Sequence, residues 1–81
     1  MKLSVYVVKD LKSHCMHPTF DSNDMTAKRN FAFAVNNAES IMNFAPADFA
    51  LYRVGVYDNE RGEITGYDPV LICRGEDVLN A

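Results

Sequence analysis

Hydrophobic positions change their spacing twice along this chain, and each change marks a new element. Leu3 to Lys9, LSVYVVK, is a compact β-branched run bounded by Asp10, and its length and composition predict a strand. Leu3, Val5 and Val7 fall on one side of it and Tyr6 and Val8 on the other, so both faces are apolar and both need cover. No period is visible from Asp10 to Ser22. Pro18 and the polar cluster Asp21-Ser22-Asn23-Asp24 predict a loop ending in a helix cap, with Asn23 or Asp24 as the capping residue.

A helical period then takes over. Ala27, Phe31, Ala34, Val35 and Ala38 keep to an arc of about 100°, which predicts a helix from about Met25 to Asn36 with one core-facing stripe. Phe33 lies off that stripe, on the side of Arg29 four positions earlier. Its plainest explanation is a contact with the apolar cluster Ile41, Met42 and Phe44 of a short helix over Glu39 to Phe44, closed by Ala45-Pro46.

From Asp48 to Cys73, DFALYRVGVYDNERGEITGYDPVLIC, the spacing becomes that of a hairpin. Strict alternation over Phe49 to Asp58 puts Leu51, Arg53, Gly55 and Tyr57 on one face and Ala50, Tyr52, Val54 and Val56 on the other. Asn59-Glu60-Arg61-Gly62 suits a turn with Gly62 at positive φ. Glu63 to Tyr67 forms the return strand. Asp68-Pro69 interrupts it, and Val70 to Cys73 forms a further edge strand. The tail from Gly75 is at most one helical turn.

The expected architecture is a single α+β domain over residues 1–81. A three- to four-stranded, mainly antiparallel sheet carries one principal helix on one face, in β-α-β-β order. Leu51 and Tyr57 add to the uncovered side, so one helix leaves apolar sheet surface over. A second copy of the chain, forming a homodimer, or a nucleic acid strand are the expected covers.

Composition narrows the function. A chain of 81 residues buries only roughly 60 to 65 % of its unfolded surface, which disfavours a deep catalytic cleft. No apolar run approaches a membrane span and the apolar core of MKLSVYVVKDLK is too short for a secretory signal, so the cytoplasm of the producing cell is the expected location and a membrane is not an expected partner. Cys15 and Cys73 read as free thiols. The net charge of -3 weakens non-specific phosphate binding. Charge is nevertheless uneven. Lys2, Lys9, Lys12, Lys28 and Arg29 face only Asp10, Asp21 and Asp24 in the first 30 residues, so a polyanion site should use that half plus Arg53.

Candidate chemistry is sparse. His14, Cys15 and His17 form one cramped group with Cys73 far away in sequence, which is not the spacing of a zinc site. Adjacent Cys and His rarely align for proton transfer, and Asp58, Glu60 and Glu63 read as a solvated hairpin tip. The glycines follow no phosphate-loop spacing, and no cofactor is implied. What remains is cations interleaved with aromatics: Lys28, Arg29 and Phe33 on the helix, and Arg53 and Tyr57 on the outward strand face. Bases stack on such rings while Arg or Lys meets the backbone, as in single-stranded nucleic acid binding. The competing reading is a solvated helix face, with the stem of Arg53 covering a dimer contact.

MKLSVYVVKD, the pattern Pro18, Phe20, Asn23, Ala27, Arg29, Phe31, and DFALYRVGVYD followed by GEI resemble the small nonstructural proteins of gokushoviruses, single-stranded DNA phages of the microvirus group. The likeness runs from Lys2 to about Pro69 and is most specific at Phe49, Leu51, Arg53, Gly55, Asp58, Gly62 and Glu63. It implies a non-enzymatic accessory protein made in the infected bacterium, of a kind described as DNA-binding or genome-packaging. Arg29 and Arg53 match family-like positions, and the His14-Cys15-x-His17 group does not. The expected partners are therefore single-stranded DNA, a second copy of the chain, or a viral capsid or replication protein. The alternative function is a docking module for capsid, scaffold, replication or host proteins with no DNA affinity.

Overall fold

The computed structural model describes residues 1–80, which form an elongated body of 41 × 23 × 19 Å. Strand β1 (Lys2–Asp10) leads through a loop to a short β2 (Thr19–Asp21) and then to helix α1 (Asp24–Val35). One-turn helix α2 (Ile41–Phe44) and a 3₁₀ turn (Pro46–Asp48) precede β3 (Phe49–Asp58) and β4 (Glu63–Arg74), and α3 (Gly75–Val78) closes the fold. The sheet has four strands in the order β2-β1-β3-β4, and every neighbouring pair is antiparallel. The expected α+β class holds.

Helix α1 starts where the polar cluster predicts. The Asn23 side chain accepts from the backbone N–H of Thr26 at 2.9 Å, satisfying one orphan donor of the first turn. Ala27, Phe31 and Val35 are its buried residues, and burying Phe31 and Val35 stabilises the fold by roughly 1.5–3 kcal/mol each. The helix stops at Val35, so Ala38 lies beyond it and is exposed. Side-chain amides take over the role a C-terminal glycine usually has: Asn36 donates to the carbonyl of Ala32 and Asn43 to that of Val35. Asn36 also donates to the Val78 carbonyl and accepts from the Asn80 N–H, which docks α3 against α1.

The core joins Ala27, Phe31 and Val35 to Met42 of α2 and to Tyr6, Phe49, Leu51 and Cys73 of the sheet. Leu51 is therefore an inward residue, and the outward placement expected from alternation is reversed. The reason is a bulge. Val5 pairs with Gly55 but Tyr6 pairs with Arg53, so Val54 is an extra residue on β3. The bulge shifts the alternation by one. Leu51 and Arg53 face the helices, whereas Gly55 and Tyr57 share the other face with Val5 and Leu3.

Two further expectations change. The segment after Pro18 is not all loop, because Phe20 and Thr19 pair with Val5 and Tyr6. Pro69 does not divide the last strand. Tyr67, Asp68 and Pro69 sit opposite Val54, between the pairs Gly55–Gly66 and Arg53–Val70, so the interruption is absorbed as a bulge on an edge strand that needs no N–H there. At the hairpin tip Gly62 does take positive φ, at 66°, and its N–H bonds to the Asp58 carbonyl.

Candidate functional site

The five residues singled out as nucleic-acid contacts fall in three places. Arg53, from the middle of β3, points into the helix side of the sheet. Its Nη1 donates to Asp24 Oδ2 at 2.5 Å, and its Nε donates to the Tyr67 hydroxyl at 2.8 Å. The other oxygen of Asp24 accepts from the hydroxyl of Tyr6 at 2.6 Å. Asp24 opens α1, where the helix dipole also favours a carboxylate. The Tyr6 and Arg53 hydrogen bonds hold the Asp24 carboxyl below the usual carboxylate range. Burial, and then the Asp24 carboxylate, push the Tyr6 phenol up to about 12, and the same carboxylate raises Arg53 further. Lys28, one turn along α1 from Asp24, lines a shallow depression with Arg53 and Asp24. Arg53 thus closes a four-residue network of Tyr6, Asp24, Arg53 and Tyr67.

Arg29 and Phe33 lie on the outer surface of α1. Together they line a second open depression with Thr26, Asn30, Ala32, Asn36, Asn37 and Asn80, and none of these residues is a carboxylate. Phe33 is 78 % exposed, and so are most of Ile41 and Phe44, at 64 % and 89 %. The following segment therefore gives Phe33 little cover: Met42 turns into the core and leaves Ile41 and Phe44 outside. Arg29 and Lys28 take part in no ion pair among the described residues, whereas Arg53, Lys12 and Arg61 each do.

Tyr57 is on the opposite face of the sheet from Arg53, and the bulge at Val54 is what separates them. Its ring meets that of Phe20 at a centroid distance of 5.4 Å and an angle of 58°. The two rings come from strands on either side of β1 and lean together across it, and Val5 beneath is only 4 % exposed. Sequence reasoning did not single out Phe20 as a site residue. Its signal was Thr-Phe-Asp, one alternating apolar position in a stretch too short to show a period.

His14, Cys15 and His17 line a shallow depression on the loop between β1 and β2, while Cys73 lies in the core. No cluster of three or more metal-ligating side chains occurs among the described residues. Burial pushes the Cys73 thiol up, away from nucleophilic chemistry. No helix among the described residues is long and apolar enough to cross a membrane.

A family model described as Phage ORF5 protein matches residues 3–78. No curated protein and no solved structure matches the chain.

Proposed function

The chain belongs to the Phage ORF5 protein family, and from that premise we propose that it is a non-enzymatic phage accessory protein that binds single-stranded DNA during genome replication or packaging. The observation that carries this reading is the outer surface of α1. There Arg29, a cation unpaired among the described residues, and a ring left almost bare, Phe33, share one depression whose other described polar groups are amides and a hydroxyl. A base stacking on Phe33 would find hydrogen-bonding groups at its edge and a cation for the adjoining phosphate, while the Asp21 carboxylate nearby is engaged by the Asn30 amide. Lys28 sits one residue from Arg29 and adds to the same field. Arg53 has a different part: its guanidinium is already engaged by Asp24, so it shapes the surface by holding α1 on the sheet. Of the groups with displaced pKa values, Tyr6, Asp24 and Arg53 satisfy one another and Cys73 is raised by burial in the core, which supports a binding role over acid-base catalysis.

The exposed Ile41 and Phe44 on α2 favour a second reading, a module that docks on a capsid, scaffold, replication or host protein. Titration of a labelled single-stranded oligonucleotide at low and moderate salt separates the two. A DNA binder weakens as salt rises, and Arg29→Ala makes the dependence shallower by about 0.7 in the slope of log affinity against log salt. Absence of binding at low salt favours docking. Sedimentation tests self-association separately.

A further inference from the structure

The sheet face turned away from α1 carries an arrangement that alternation alone hides. Reading the ladders across β1, β3 and β4, its rows are Lys9–Ala50–Arg74, then Val7–Tyr52–Leu71, then Val5–Gly55–Gly66 with Phe20 beside Val5, then Leu3–Tyr57–Ile64. No paired position on this face is a carboxylate. The acids of the strands fall elsewhere: Asp10, Asp21, Asp58 and Glu63 occupy the other side of the ladder, and Asp68 lies in the β4 bulge.

In a chain of net charge -3, a face whose ladder positions carry two cations and no carboxylate favours anions. Lys9 and Arg74 are exposed and stand on either side of Ala50, two strand spacings or roughly 9.5 Å apart. Neither takes part in an ion pair among the described residues. Ala50, between them, is only 1 % exposed although it lies outside the helix-side core. Tyr52 occupies the next row. Phe20, 42 % exposed, is braced by Tyr57 of the row next to its own, so its ring is held in place before any ligand arrives.

We infer that this open sheet face takes single-stranded DNA, with Lys9 and Arg74 on phosphates and Tyr52 and Phe20 as stacking positions. The inference rests on DNA being the ligand, as proposed above, and adds to the α1 surface a second contact surface on the opposite side of the sheet. Charge complementarity selects this occupant, since the ladder positions of this face offer two exposed cations and no carboxylate, and the nearby Asp77 carboxylate is engaged by the backbone N–H of Arg74 at 2.9 Å.

The test uses the whole chain and a fluorescently labelled oligo-dT. Lys9→Gln with Arg74→Gln, both at exposed sites, should weaken binding at least about tenfold at low salt and make the salt slope shallower by about 1.4, for two phosphates lost. Tyr52→Leu keeps apolar bulk without the aromatic face and should weaken binding about fivefold or more. Unchanged thermal melting confirms that each variant is folded. If these variants bind like the parent while Arg29→Ala and Phe33→Leu weaken binding, the sheet face is excluded and the DNA-binding reading stands on α1 alone. If the parent does not bind oligo-dT at low salt, both readings fall. Amide chemical-shift changes confined to α1 on titration would also overturn the sheet-face assignment.

Discussion

Arg53 Nη1 and Asp24 Oδ2 stand 2.5 Å apart, joining the middle of β3 to the first turn of α1 across 29 residues of chain. The pair is half-exposed, and solvent screening would leave such a contact weak if it were alone. It is not alone, because Tyr6 and Tyr67 complete the hydrogen bonding on either side. The network therefore fixes the angle at which α1 leaves the sheet, and with it the placing of Lys28, Arg29 and Phe33.

Tyr6→Phe isolates one link of that network. The side chain is fully buried and its ring packs in the core, so the substitution removes only the hydroxyl that donates to Asp24. Hydrogen bonds to a charged partner contribute about 1.5–3 kcal/mol, and hydration of the half-exposed carboxylate favours the lower end. Urea unfolding should show a lower midpoint at unchanged m-value, a loss of about 1.5 kcal/mol.

The pH dependence has a limb at each end. Tyr6 is raised from 10.0 to about 12 in the folded chain, so its contribution is complete below pH 10 and is lost as pH climbs through the 10 to 12 window. Asp24 is lowered from 3.8, so its contribution is complete above that value and disappears as pH falls below it. Unfolding midpoints measured against pH should drop at both extremes. Tyr6→Phe should flatten the alkaline limb and Asp24→Asn part of the acid one.

Gly55 and Gly62 should respond to alanine for different reasons. At Gly62 nothing crowds the added methyl group, but φ of +66° does, and Gly62→Ala should cost about 1 kcal/mol. At Gly55 a Cβ would stand 2.5 Å from the Thr65 carbonyl oxygen, on backbone that can yield only by shifting the β3–β4 pairing. Gly55→Ala should cost more, about 2 kcal/mol or above, and should broaden or move amide resonances of β4. Equal effects at the two sites would contradict the close strand approach.

Much of the fold was legible in the chain because its signals are local. The Asn23 cap, the stripe Ala27, Phe31 and Val35, and the glycine at the hairpin tip are each set by neighbours within one turn, and the structure has them where the spacing puts them. The sides of β3 were not legible. One extra residue, Val54, reverses the alternation, and nothing in VGV distinguishes a bulge from a regular strand, since the bulge is defined by the partner strand. That residue moved Arg53 inward, parted it from Tyr57 and left Tyr52 outside. Phe20 was missed for a related reason: a three-residue strand gains its order from pairing with β1 and carries too few positions to show a period.

Arg29 and Arg53 looked equivalent as cations in the sequence, and their surroundings predict opposite phenotypes. Arg53 is held by two partners and joins α1 to β3, so Arg53→Ala should lower the melting temperature, with any loss of DNA affinity tracking the loss of folded protein. Arg29 is exposed and unpaired among the described residues, so Arg29→Ala should leave melting within about 0.5 kcal/mol of the parent and weaken oligonucleotide binding. Arg53→Lys sharpens the contrast, because an ammonium cannot address Asp24 and Tyr67 with the fixed fork of a guanidinium, and should recover stability only in part. Melting and binding measured on the same three variants decide it. An Arg53→Ala protein that melts like the parent but no longer binds would make Arg53 a direct DNA contact and the network around Asp24 dispensable.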